Sequence, residues 1–149
     1  MIPSRELWQS IPVAAAADTA YLAAAGAMHV HLAAAPFLPV LDLDLASLVE
    51  ATFTGSTAKN AGTGVQPTFF DVQTGAFLIQ LLEPAGGWSW QCTVDPVVPE
   101  TIYGFFVTDN ADAVLLGSML LPAPVTIVAA GQGLTVPRVT LSFNTTSPY

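Results

Sequence analysis

His29 and His31 are the only two histidines in the chain, and a single residue separates them. Side chains two apart in an extended segment leave the same face, so this pair could offer two imidazole nitrogens to one metal ion. A zinc-type site needs at least a third ligand. After the Pro-punctuated stretch that follows, Asp42 and Asp44 are the acids that could return to supply it. Without that return the histidines are polar positions on the outer face of a strand, and this is the expectation.

The other chemistry-bearing groups have plainer readings. Asp109, Asn110 and Asp112 set oxygen side chains around a bend, but a calcium loop of the helix-loop-helix kind also needs an internal Gly and a closing Glu. They are expected to form a turn. Cys92 is the single cysteine; between Gln91 and Thr93 in a predicted strand, it reads as a buried, inert thiol. No Gly-x-Ser-x-Gly nucleophile elbow occurs. The glycines at 62, 64, 86, 87, 131 and 133 precede no Lys-Ser or Lys-Thr pair, so they are turn residues and not a phosphate cradle. Trp88 and Trp90, with Tyr103, Phe105 and Phe106, alternate as a β core requires, which outweighs a sugar-binding platform. Active sites need convergent titratable groups, and this chain has few. It is expected to be non-enzymatic, with no catalytic, cofactor-binding or metal residue assigned and no cofactor.

Composition narrows the partners. Of 149 residues, 52% are hydrophobic and 9% charged, against about 25% charged in an ordinary globular domain. Some apolar surface must therefore face protein instead of water. Arg5, Lys59 and Arg138 are the only cations beside eleven acids, too few to neutralise a run of phosphates or dock on anionic lipid. Neither nucleic acid nor membrane is an expected partner. Asp, Glu, Pro and Gly interrupt each hydrophobic run before it could span a bilayer. Residues 11–26 are Ala-rich, but Arg5 stands beside Glu6 and Asp18 interrupts the apolar stretch, so they are not expected to be a secretory signal.

One folded domain is expected, a single β-sandwich-like domain over residues 27–149, preceded by an N-terminal arm and Ala-rich helix over residues 1–26. Ala-rich residues 14–25 predict a short α-helix ended by Gly26. Strands are predicted at 28–32, 67–72, 76–83 and 88–94, with residues 55–64 an exposed loop between the first two. Residues 101–108 and 113–121 predict a hairpin, broken after Leu121 by Pro122 and Pro124. Strand resumes at 125–128, and 134–143 closes the fold. Short strands between Gly and Pro turns predict an antiparallel β-sandwich or jelly-roll-like barrel.

Three segments carry a resemblance. They are Met28-His29-Val30-His31-Leu32, Leu45-Ala46-Ser47-Leu48-Val49-Glu50-Ala51-Thr52-Phe53-Thr54-Gly55, and Ile102-Tyr103-Gly104-Phe105-Phe106-Val107-Thr108-Asp109. In this order, with Gly133-Leu134-Thr135-Val136 near the end, the chain resembles small structural proteins of tailed-bacteriophage virions. The likeness covers most of the sequence outside residues 59–87, and its motifs are structural. It departs in the Ala-rich N-terminal segment and in Ser56, where the group commonly carries an aromatic. The resemblance implies a virion component; the single Cys92 and the charge pattern of the N-terminal segment separately lead us to expect synthesis in the host cytoplasm.

The combined expectation is a capsid decoration or cement subunit that stabilises a phage head through apolar contacts. Its partners would be copies of itself, as a cyclic oligomer with a trimer favoured, and a major capsid protein or other virion protein. Ile2, Leu7, Trp8, Ile11, Tyr21 and Leu22 are the candidate interface residues, being apolar in a segment poor in charge. The alternative is a tail or head-fibre component whose loops, residues 54–64 and 86–90, bind a host receptor or glycan.

Overall fold

A computed structural model describes residues 2–3, 28–40, 43–60, 69–71, 76–81, 87–109, 111–136 and 139–144. The predicted helix at 14–25 and the interface candidates Leu7, Trp8, Ile11, Tyr21 and Leu22 lie outside these residues, as does Asp42. Ten strands are present among them: β1 (Ile2–Pro3), β2 (His29–Ala33), β3 (Lys59–Asn60), β4 (Phe69–Asp71), β5 (Ala76–Leu81), β6 (Trp88–Gln91), β7 (Glu100–Thr108), β8 (Leu115–Ile127), β9 (Gly133–Val136) and β10 (Val139–Asn144). One turn of 3-10 helix, Leu45–Ser47, is the sole helical element of the described residues. None of them forms a helix long and apolar enough to cross a membrane.

The strands make three antiparallel sheets, ordered β1-β8-β7-β2-β3, β10-β5-β4 and β6-β9. The fold is mainly β, and no sheet closes into a barrel, since each has two open ends in this order. Ile2 belongs to β1 and stands opposite Ser118 of β8.

Alternation does most of the folding. On β2, Val30 and Leu32 are fully buried, and they join Ile102, Phe105 and Val107 of β7 in one apolar cluster. Trp88, Trp90 and Cys92 enter the same cluster from the β6 side, while Ser89, Gln91 and Thr93 are exposed. The large sheet and the β6-β9 pair therefore share one core. Burial of such side chains, at about 25 cal/mol per Å² of apolar area, is the main favourable term.

The large sheet is covered on its other face too. Ala33, Phe106 and Leu115 are buried there beneath Phe37, Leu43, Leu45 and Leu48, all contributed by residues 34–50. That segment is fastened alongside β2 by Ala34 N–H to Val49 O at 2.8 Å and Ala51 N–H to Leu32 O at 2.9 Å. The Glu100 carboxylate then accepts from Thr52 N–H at 2.9 Å and Phe53 N–H at 2.7 Å. Glu50 is thereby held in register beside Ala33.

Three sequence expectations are corrected. Pro122 and Pro124 do not end the second hairpin arm, because β8 continues through them to Ile127. Opposite β7 the pairing jumps from Gly104–Leu120 to Ile102–Val125, so residues 121–124 face Tyr103 alone. A bulge is the place in a sheet where a residue lacking N–H is tolerated. Second, 134–143 is not one closing strand. β9 pairs with β6 and β10 with β5, in different sheets, and Pro137 falls between them in sequence. Third, the described part of the 55–64 loop, residues 55–60, is not simply exposed. Ser56 is buried, its hydroxyl donating to Ala51 O at 2.8 Å, and Lys59–Asn60 forms β3 against β2. The indoles hold this stretch: Trp90 Nε1 donates to Thr57 O at 2.9 Å and Trp88 Nε1 to Asn60 O at 3.1 Å.

Candidate functional site

The β2 register puts His29 opposite Thr108 and His31 opposite Phe106 on β7, with both imidazoles on one face. Their rings meet edge to face, 6.2 Å apart between centroids. His31 also stacks on Phe106, at 4.8 Å and 6° between planes. The expectation of two outer-face polar residues is thus corrected for His31, which is 4% exposed. Residues 34–50 cover that face, and this is why it is buried.

Among the described residues the third group is not Asp44, and Asp42 lies outside them. Asp44 is spent at the start of the 3-10 turn, where its Oδ1 accepts from Ala46 N–H at 3.0 Å. Asp112, from the turn between β7 and β8, takes the place. Its Oδ1 lies 2.8 Å from His29 Nδ1, 3.1 Å from His31 Nε2 and 2.6 Å from the Thr108 hydroxyl that donates to it. One oxygen thus gathers three side chains.

Local chemistry explains how Asp112 arrives there. Asp109 Oδ1 accepts from Ala113 and Val114 N–H, at 2.8 and 3.0 Å, and Asp112 N–H returns to Asp109 O at 3.1 Å. The expected turn forms, and Asp109 is its organiser. Asp112 takes φ of +52°, a left-handed conformation that Asp tolerates better than most residues. A pairing shift between Val107 and Thr108 accommodates Leu116 as an extra residue on β8 and re-aims the end of the hairpin.

The far side of His31 is committed as well. Its Nδ1 lies 2.8 Å from Glu50 Oε1, and its Nε2 lies 2.9 Å from Thr108 Oγ1. A carboxylate only accepts, so the hydrogen between His31 and Glu50 resides on Nδ1, leaving Nε2 directed at the Asp112 oxygen.

No family model, no curated protein and no solved structure matches this chain. The site's chemistry must therefore be read from its own atoms. The Thr108 hydroxyl holds the Asp112 carboxyl down, from 3.8 to about 2, with further lowering from the hydrogen bonds of His29 and His31, and burial opposes them. Because the folded-state value is the lower one, Asp112 stabilises the fold above about pH 4 and loses that contribution as pH falls through about 2. Its side chain is 47% exposed, so solvent screening keeps the effect modest. We expect an NMR titration of its carboxyl carbon to show a midpoint near 2, and Thr108→Val to raise it. A midpoint at the ordinary carboxylate value would contradict the hydroxyl contact.

The other grouped features are surfaces. Val94, Val97 and Val98 are exposed, Val97 fully, around a shallow groove of about 510 Å³ that also takes in Phe53, Pro96 and Pro99. Cys92 is buried as expected, its thiol donating to Val94 O at 2.9 Å. Trp88 and Trp90 are each 2% exposed and so form no platform.

Proposed function

We propose that this chain is a non-enzymatic structural protein of a tailed-phage virion, specifically a head decoration or cement subunit. It works by packing apolar surface against copies of itself, as a trimer, and against the major capsid protein. The resemblance of the three sequence segments supplies the virion context. The sandwich arrangement belongs to the same reading, supported by the single core that the large sheet shares with β6 and β9.

The observation that carries it is the stretch from Val94 to Glu100. Val94, Val97 and Val98 project outward between Pro96 and Pro99, and the two charges there are occupied with backbone. Asp95 Oδ1 accepts from Ala130 N–H at 2.7 Å, and Glu100 from Thr52 and Phe53. What is left outward is apolar and stiffened by proline, a surface that loses little chain entropy on docking. The glycan-binding alternative draws no support from residues 88–90, whose indoles lie in the core.

Light scattering of the full chain tests the reading, with Val97→Asp/Val98→Asp and a deletion of residues 1–25 as comparisons. The full chain is expected as a cyclic oligomer that binds empty phage heads saturably, and the double variant as a folded monomer that does not. A full chain that stays monomeric at millimolar concentration and ignores the shells would overturn the proposal.

A further inference from the structure

We propose that His29, His31 and Asp112 form a binding site for one divalent transition-metal cation of the zinc type. This site is independent of the apolar surface argued above.

One potential ligand atom from each of the three residues lies within 4.8 Å of the other two. Tetrahedral zinc with bonds of about 2.0–2.1 Å separates its ligand atoms by about 3.3 Å. The Asp112 oxygen is already 2.8 Å from His29 Nδ1 and 3.1 Å from His31 Nε2. Lengthening these two contacts by a few tenths of an ångström brings them to that spacing, with a cation where hydrogens are now shared, and Asp112 and His29 are the more exposed members.

The support around the ligands is the second, separate observation. Glu50 accepts the Nδ1 hydrogen of His31, so a cation that displaces the hydrogen between Nε2 and Asp112 Oδ1 would meet the Nε2 lone pair. A carboxylate behind a ligating imidazole fixes its tautomer and raises its basicity, as the outer partners of metal-bound histidines do. Thr108 orients Asp112 Oδ1 from below at 2.6 Å. The Phe106 face fixes the plane of the His31 ring.

Donor type selects the ion. Two imidazoles and one carboxylate suit Zn²⁺ and its first-row neighbours, whereas Ca²⁺ and Mg²⁺ require oxygen shells. His31 closes the inner side, while Asp112 and His29 border solvent with side chains 47% and 26% exposed. A fourth position is therefore open to water or to a group from another molecule. Bound there, the cation would tie the β7–β8 turn to β2.

The test uses tag-free full-length protein, stripped with a chelator and titrated with Zn²⁺ in a calorimeter. We expect one ion per chain with micromolar or tighter affinity, together with shifts of both histidine ring resonances. At about a hundredfold excess over the dissociation constant, the melting temperature should rise by about 5–10 °C. His29→Gln and Asp112→Asn alter the more exposed ligands and should each weaken binding by more than about tenfold. His31 is left intact because its ring is part of the packing. An absence of saturable binding, an affinity unchanged in both variants, or an equal rise with Ca²⁺ would each overturn the site.

Discussion

Trp90→Ala should lower the free energy of unfolding by about 3–5 kcal/mol, the range for removing a large buried aromatic. The ring is 2% exposed and lies in the cluster shared by the large sheet and β6-β9, so its loss leaves a cavity between them. The indole N–H also leaves Thr57 O without its 2.9 Å donor, and an unpaired carbonyl adds to the cost. Domains of this size have only about 5–15 kcal/mol in total. Denaturant unfolding measures the loss, and Trp90→Phe separates its parts by restoring most of the volume without the donor. The damage should spread to the histidines: residues 57–60 lead into β3, and Asn60 pairs with His29. A loss below about 1 kcal/mol would contradict core burial of this ring.

Gly55→Ala should be nearly as damaging, at about 3 kcal/mol, combining strained backbone with overpacking. Gly55 has φ of +111°, and a Cβ there would lie 2.1 Å from Gln91 O, a backbone atom that cannot rotate aside. Gly131 isolates the two contributions. Its φ is +85°, but a Cβ there would meet nothing within 4 Å, so Gly131→Ala should cost only the strain, about 1–2 kcal/mol. Thermal unfolding should show Gly55→Ala falling by about 10 °C and Gly131→Ala by about 3–7 °C. Equal drops would mean that crowding against Gln91 contributes nothing.

Much of this arrangement is legible as period-two patterning. The β2 alternation, the Trp88, Trp90 and Cys92 face and the 101–121 hairpin follow from residue type and turn chemistry alone. So does the shared face of His29 and His31. Their third partner does not, because Asp112 is 81 positions from His31 and nothing local distinguishes it from a turn residue. Neither does the burial of His31, which depends on residues 34–50 folding back over the sheet. The signal was there in Phe37, Leu43, Leu45 and Leu48, too apolar for a solvated loop. Pro122 and Pro124 were misread because a proline ends a strand by default, and only the pairing opposite Tyr103 reveals the exception. The Ala-rich segment and most of the interface candidates fall outside the described residues, so the apolar surface rests on Val94, Val97 and Val98 instead.

The prolines inside β8 bear on how copies of the chain can meet. Along the flank of β8 away from β7, β1 covers only Gly117 and Ser118, and beyond them no described strand pairs with it. Such a rim ordinarily invites a neighbouring molecule to add itself rung by rung, which is how fibrils begin. Pro122 and Pro124 take two amide donors out of this half of β8, and the pairing shift opposite Tyr103 bends the strand there. A protein this poor in repelling charge thus carries its own guard against edge-to-edge stacking.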